Sequence, residues 1–364
     1  MIFDVDAHFS PKFAYDRMTG AHRHLRPRHI RDGAGMTMYF NGRNHPGVSH
    51  SFPEDQTCDF GRRMAELDRF GIDWQLLFPS HSGLFQEMED PGAAAALCQA
   101  HNDGMAEIEK RSGGRLISTA VMPLQFPDET IAELQRVVTE HGMRAIVICP
   151  NVDGKNIDDI RLWDFYAEAE RLGVAVCFHG DADSKLLGWE RMDRWRLYVC
   201  LGFPFDYMMA ITTMIYSGLL DRFPKLKILF AEGGVSYLPF LEDRLMDTAD
   251  TFRSALARDN FAIRGRPMNK RPPKEYFERF HHVIGLEESL RNFVIDRYGA
   301  DKFMLGTDHP HPDAHTNVAK HLEELSTVPK ETLDMITWRN AARFFGVDAE
   351  TRKHRQPEAK VAAE

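Results

Sequence analysis

Short apolar runs of four to eight residues alternate along this chain with longer stretches whose apolar positions recur every three to four residues. The short runs read as buried strands at 2–8, 74–79, 117–123, 144–149, 174–179, 227–232, 281–286 and 303–308. Helical periodicity fills the intervals: Phe60 to Phe70, Ala93 to Arg111, Asp128 to His141, Ile160 to Leu172, Tyr207 to Leu220, Val235 to Phe252, Leu290 to Tyr298 and Lys330 to Phe345. Eight strands alternating with eight helices predict an α/β fold, a (β/α)8 TIM barrel over residues 1–350, because parallel strands need crossover helices between them. Three stretches, 9–59, 180–204 and 256–278, exceed what a minimal barrel needs. They are expected as loop insertions at the C-terminal face, where long loops cover a site or form a subunit contact. The tail 351–364 is polar, lacks apolar periodicity and reads as disordered or surface-bound.

Composition narrows the function class. The chain has 364 residues, 43% of them hydrophobic, and a formal net charge of −9, with basic and acidic residues interspersed. No broad basic surface for nucleic acid follows from that pattern, so the expected partner is a small-molecule substrate. The cysteines, Cys58, Cys98, Cys149, Cys177 and Cys200, have no CxxC spacing and sit mostly in apolar runs, which reads as reduced, buried thiols in a cytoplasmic protein. No apolar leader precedes the first strand, and no apolar run reaches the roughly 18 residues that span a bilayer, so no membrane role is expected.

Candidate chemistry lies at the ends of the strands. In Phe3-Asp-Val-Asp-Ala-His8 the alternation puts Asp4, Asp6 and His8 on one face, with Asp6 and His8 roughly 7 Å apart at Cα, close enough to share a cation. An edge strand with a solvated face is the competing reading of those residues alone. The pattern recurs, however: Val174-Ala-Val-Cys-Phe-His179 ends in an imidazole, Lys227-Ile-Leu-Phe-Ala-Glu232 in a carboxylate, and Lys302-Phe-Met-Leu-Gly-Thr-Asp308 in a carboxylate followed by His309-Pro-His311. In each case Gly or Pro breaks the chain just beyond the polar residue. A (β/α)8 barrel brings all such ends to one face, so Asp6, His8, His179, Glu232 and Asp308 would meet there.

Each residue also has a plainer reading. His179 alone could be a satisfied core histidine, and Asp308 a turn cap before Pro310, although a buried carboxylate without a partner is costly enough to favour a cation. Of His309 and His311, one would orient Asp308 or touch substrate and the other would be a loop residue. Asp4 lies one layer deeper than Asp6 and reads as its hydrogen-bonding support. His81 is a candidate substrate contact, and Glu287 and Glu288 are weaker candidates to face the metal. His281 and His282 begin strand seven at the stability end of the barrel and read as structural.

Taken in order, these motifs resemble the amidohydrolase superfamily, and within it the amidohydrolase-related branch typified by aminocarboxymuconate-semialdehyde decarboxylase. The resemblance covers nearly the whole chain: Asp6-Ala-His8, Asp73-Trp-Gln-Leu-Leu-Phe-Pro79, Pro123-Leu-Gln, Phe178-His179-Gly180, Phe230-Ala-Glu-Gly-Gly234, Gly306-Thr-Asp-His-Pro-His-Pro-Asp313 and Asn340-Ala-Ala-Arg-Phe-Phe-Gly346. It implies that Asp6, His8, His179 and Asp308 ligate a divalent metal ion, zinc or iron/manganese, with Glu232 and Asp308 catalytic. Two departures stand out. The family's first pair is His-x-His, whereas here Asp6 brings a hard oxygen donor; and Glu232 stands where the decarboxylase branch carries a histidine. Metal-activated hydrolysis and non-oxidative C–C cleavage of a carboxylate-bearing compound are the leading expectations. The resemblance also admits a subunit of a non-haem iron or iron/manganese monooxygenase, as in 2-aminoisobutyrate hydroxylase, though Ser10 in place of an additional Glu suggests one metal. A non-catalytic scaffold paired with a paralogue is the third reading. A homodimer or a heteromer with a paralogous subunit is implied in the same way.

Overall fold

A computed structural model of the chain describes residues 1–32, 35–39, 57–80, 88–181, 184–193, 195–251, 269–285, 289–311 and 328–348. All eight expected strands are present: β1 (Phe3–His8), β2 (Trp74–Phe78), β3 (Leu116–Val121), β4 (Ala145–Ile148), β5 (Ala175–His179), β6 (Lys227–Ala231), β7 (Phe280–Ile284) and β8 (Phe303–Leu305). They form one parallel sheet in chain order. A bridge between Ala7 and His309 brings the first strand to the chain just beyond the last, so the sheet is a nearly closed barrel.

Alternation along the strands sorts the side chains into two layers. Ile146, Val176, Ile228, Ile284 and Leu305 pack with the helix residues Leu134, Phe165 and Ile211. Their neighbours Val147, Cys177, Leu229, Val283 and Met304 belong to a second apolar cluster and are left to the barrel interior. β1 is buried on both faces, with Asp4, Asp6 and His8 at 0%, 3% and 1% exposure, which removes the solvated edge-strand reading.

The helices begin and stop where local chemistry requires. The first barrel helix, α1 (Phe60–Phe70), starts at Asp59, whose carboxylate accepts the Arg62 backbone N–H at 2.8 Å, and ends at Gly71 in the left-handed region. The second, α2 (Pro91–Arg111), starts at Asp90, which accepts from Ala93 N at 2.6 Å, with Pro91 at a position that needs no donor.

Four features differ from the sequence reading. The stretch after β1 contains an antiparallel hairpin, Arg28–Asp32 with Gly35–Tyr39, and a second small hairpin follows β4. β8 ends at Leu305, so Asp308 belongs to the loop beyond the ladder. The helical stretch Tyr198–Tyr216 is long and apolar enough to cross a membrane by length and composition, against the expectation that no run would be. Half of it is buried against the protein, through residues including Phe203, Tyr207, Ile211 and Met214, as befits the core helix of a barrel. The cysteines are all free; Cys98, Cys149 and Cys177 are buried, Cys58 is half-buried, and Cys200 is exposed, contrary to expectation. The tail 351–364 lies outside the described residues.

Candidate metal centre

The carboxyl ends of β1, β5, β6 and β8 bring five predicted side chains together. His8 Nε2 lies 3.0 Å from Asp308 Oδ1 and 3.7 Å from Asp6 Oδ1. On the other side, His179 Nε2 is 3.6 Å from Asp6 Oδ1 and 3.1 Å from Glu232 Oε2. The Asp6 carboxylate thus stands between two imidazoles. Two groups, Asp6–His8–His179 and His8–Asp308–His311, each keep their donor atoms within 4.8 Å of one another.

Both imidazoles are oriented from behind. His8 Nδ1 is 3.1 Å from the Pro79 carbonyl, and His179 Nδ1 is 2.7 Å from the Gly180 carbonyl. That arrangement fixes the tautomer and turns each Nε2 inward, as in ligating histidines whose other nitrogen is held by a carbonyl. Asp6 Oδ1, His8 Nε2, His179 Nε2 and Asp308 Oδ1 are buried and have no hydrogen-bond partner among the described residues. Buried polar atoms in that state are costly, and four aimed at one space need a common partner. Ligands about 2.1 Å from a divalent ion sit about 3 Å apart in an octahedral shell, the spacing seen here for His8 and Asp308. The donor set therefore fits a divalent cation. Two hard carboxylate oxygens with two imidazoles suit manganese, iron or zinc.

The electrostatics are those of a desolvated cluster. Burial pushes the His8 imidazole down to about 3, which keeps it neutral and able to ligate. Burial also lowers His179, but Asp6 and Asp308 outweigh it and hold that ring above its ordinary value. Burial raises Asp6 despite the His179 ring beside it. Asp308 is raised by burial, yet His311 and His8 more than reverse this and hold it well below the carboxylate range.

Backbone shape places the two carboxylates that follow β6 and β8. Glu232 and Asp308 have φ of 60° and 58°, a region that residues with a Cβ seldom occupy and that recurs at functional positions. Asp308 N donates to the Asp6 carbonyl at 2.8 Å. Close packing fixes the neighbours: a Cβ on Gly233 would lie 2.1 Å from the Tyr207 ring, and one on Gly306 would lie 2.3 Å from Val283 and 2.6 Å from Asp6. The Tyr207 hydroxyl accepts from Gly180 N at 2.6 Å and donates to the Ala231 carbonyl, tying the residue after His179 to the residue before Glu232.

The remaining expected residues separate. His311 stacks on His8, with ring centroids 3.8 Å apart, and its Nδ1 lies 2.8 Å from Asp308 Oδ1, so it is the histidine that meets Asp308. His309 turns away, its Nε2 2.9 Å from Glu66 Oε2 and its ring edge-on to Phe70. Asp4 lies beneath Asp6 and accepts from Asp6 N at 3.2 Å, Gln75 Nε2 at 2.7 Å and Thr307 Oγ1 at 2.7 Å. Burial outweighs those donors and lifts its carboxyl to about 7. His282 is buried and stacked against Phe230, away from the centre, as a structural residue would be. His81, Glu287 and Glu288 lie outside the described residues. Sequence reading missed Arg63, Glu66, Gln75, Thr307 and Tyr207. A signal existed for two of them: Arg63 and Glu66 fall three apart on the buried stripe of α1 with Leu67, where charged residues are out of place.

Fold and site define a barrel that gathers histidines and carboxylates at its strand ends for a cation. The chain belongs to the amidohydrolase family, whose sequence model, described as amidohydrolase, matches residues 4–347, and it is related to the aminocarboxymuconate-semialdehyde decarboxylase-like branch. It is 32% identical over 299 residues to 2-amino-3-carboxymuconate-6-semialdehyde decarboxylase of Dictyostelium discoideum, covering 81% of this chain and 79% of that protein. Among solved structures it is similar to 5-carboxyvanillate decarboxylase from Sphingomonas paucimobilis, with a TM-score of 0.75, 23% identity, and coverage of 95% of this chain and 98% of that one. A dihydroxybenzoic acid decarboxylase from Polaromonas, solved with bound manganese and 2-nitroresorcinol, has a TM-score of 0.69 and 19% identity, covering 97% of this chain and 99% of that one.

Proposed function

We propose that the chain is a divalent-metal-dependent decarboxylase acting on a small carboxylate-bearing compound, with Asp6, His8, His179 and Asp308 holding the ion. The observation that carries this reading is the convergence of two imidazole Nε2 atoms and two carboxylate oxygens, all buried and without hydrogen-bond partners among the described residues. The relatives' names point from metal binding to loss of CO2, and the manganese in the Polaromonas structure favours that ion over zinc for an oxygen-rich set.

A divalent ion in this site would bind the substrate's oxygens and draw electron density away from the carbon that loses its carboxylate. The protein's own groups do the rest. Asp6 and Asp308 bring negative charge that balances the ion, while His8 and His179, oriented by the Pro79 and Gly180 carbonyls, keep their Nε2 atoms on it. Glu232, beside His179, is the proton carrier: as the C–C bond breaks and CO2 leaves, a proton held on the Glu232 carboxyl takes its place on carbon. His311, stacked on His8 and paired with Asp308, borders the substrate side.

The test is an assay of the metal-reconstituted protein on hydroxybenzoates and unsaturated dicarboxylates in D2O. The expected result is CO2 release, with one deuteron on the vacated carbon and no oxygen consumed. Hydrolysis products without CO2 would point to the hydrolytic alternative, and oxygen uptake with a reductant to the monooxygenase subunit. The family resemblance supports a homodimer or a heteromer with a paralogous subunit, which a solution mass would distinguish, and the free thiols support a cytoplasmic location.

A further inference from the structure

The metal-bearing ends of the first and last strands meet at a thinly laddered seam. Among the described residues it is held by the bridge from Ala7 to His309 and by three backbone hydrogen bonds: His8 N to His309 O at 2.7 Å, Asp308 N to Asp6 O at 2.8 Å and Thr307 N to Asp6 O at 3.3 Å. His8 and Asp308 face each other across this seam, and β8 is only three residues long. Something further must hold the two sides at a fixed distance.

Helix α1 reaches both sides. Arg63 is fully buried and donates from Nη2 to the His8 carbonyl at 2.8 Å and from Nη1 to Gln75 Oε1 at 3.0 Å. Gln75 passes the contact on, from Nε2 to Asp4 Oδ2 at 2.7 Å. Asp4 then accepts from Thr307 N at 2.9 Å and from Thr307 Oγ1 at 2.7 Å. One turn along the helix, Glu66 Oε2 meets His309 Nε2 at 2.9 Å, while its other oxygen is held by Arg62 Nε at 2.8 Å. Helix α1 thus holds the His8 carbonyl on β1 and His309 just after Asp308 directly, and reaches Thr307 just before Asp308 through Gln75 and Asp4.

We propose that Arg63 and Glu66 are positioning residues that set the separation of His8 and Asp308, and through it the affinity of the centre for its ion. The inference rests on the metal reading above. A planar guanidinium holds two acceptors at once in a fixed fork, which the single ammonium of a lysine cannot reproduce. Charge at Arg63 is therefore insufficient; its geometry is what spans the seam.

The test compares manganese affinity, by competition with a fluorescent chelator, in the parent, Arg63→Lys and Glu66→Gln. Arg136→Met is the control, since Arg136 pairs with Glu133 and Asp103 on the outer helices, away from the centre. Both seam variants are expected to bind manganese 10- to 100-fold more weakly, the usual loss when an outer partner of a ligand is removed. The control is expected to melt lower yet bind as the parent does. Parent-like affinity in Arg63→Lys and Glu66→Gln, whatever their melting temperatures, overturns the proposal. Should Arg63→Lys not fold, Glu66→Gln decides alone. A parent that takes up no manganese or zinc overturns the metal reading and this proposal together, whereas tight binding unchanged in the variants overturns this proposal only.

Discussion

His8 Nε2 and Asp308 Oδ1 stand 3.0 Å apart, from opposite ends of the chain, yet neither makes a hydrogen bond among the described residues. An imidazole nitrogen and a carboxylate oxygen at ion-pair distance without hydrogen-bond geometry both point at a third position. His179 and Asp6 point there too, and the function proposed for the chain follows from what would occupy it.

Glu232 lies beside this set, within 3.1 Å of His179 but outside the four proposed ligands. Glu232→Gln keeps the shape and hydrogen-bonding reach while removing the transferable proton. It is expected to retain the parent's metal content and to lose about 10²- to 10⁴-fold in kcat, the range for a positioned acid or base. Metal analysis together with steady-state rates checks this; a variant that loses metal would make Glu232 a ligand.

Gly306 packs where a methyl group would lie 2.3 Å from Val283 and 2.6 Å from Asp6 Cβ. Gly306→Ala should cost about 1–3 kcal/mol, as overpacking in a close-packed interior does. Because one of the two contacts is Asp6, it should also weaken metal binding. Urea unfolding of metal-free protein isolates the first effect, and chelator competition reads the second.

The barrel was legible in the sequence because all eight strands are short, apolar and punctuated by Gly or Pro. The proposed ligands were legible because His8 and His179 end their strands, Asp6 shares a face with His8, and Asp308 follows the last apolar run just before Pro310. What escaped was everything that depends on tertiary neighbours. Tyr207 looks like an ordinary core residue of an apolar helix, and only the fold shows its hydroxyl joining Gly180 to Ala231. Gln75, in an otherwise apolar strand, has no local partner that would reveal its bond to Asp4. The apolar prefix running on from Phe303 predicts a strand through Asp308, but β8 stops at Leu305 and Asp308, with φ of 58°, lies in the loop beyond. The hairpin at Arg28–Asp32 and Gly35–Tyr39 lay in a stretch whose Arg, His and Gly content masks strand alternation.

Asp206, at the start of the helix after β5, accepts from Asn151 Nδ2 at 2.7 Å and from Leu187 N at 3.2 Å. Burial nevertheless lifts its carboxyl from 3.8 to about 6. A raised carboxyl favours the folded state only while protonated, so its contribution is complete below about pH 4 and is lost as pH rises through about 6. Stability in urea is expected to fall across that window by on the order of 2 to 3 kcal/mol more in the parent than in Asp206→Asn. Parallel pH profiles for the two proteins would contradict this.

Metal removal should act on the fold as well as on the chemistry. An ion that binds only the native barrel stabilises it by about 2.7 kcal/mol at one hundred times its dissociation constant. Reconstituted protein is therefore expected to melt several degrees above chelated protein, with the gain growing with metal concentration. Equal melting temperatures at saturating manganese would count against a native site.

The most direct test is the metal content of the purified chain beside Asp308→Ala, each loaded with manganese and passed through a desalting column. With Asp6, His8, His179 and Asp308 sharing one ion, the parent should carry close to one manganese per chain and Asp308→Ala almost none, with CO2-releasing activity lost in step. Stoichiometric manganese in folded Asp308→Ala, held as tightly as in the parent, would contradict the site on which the proposed function rests.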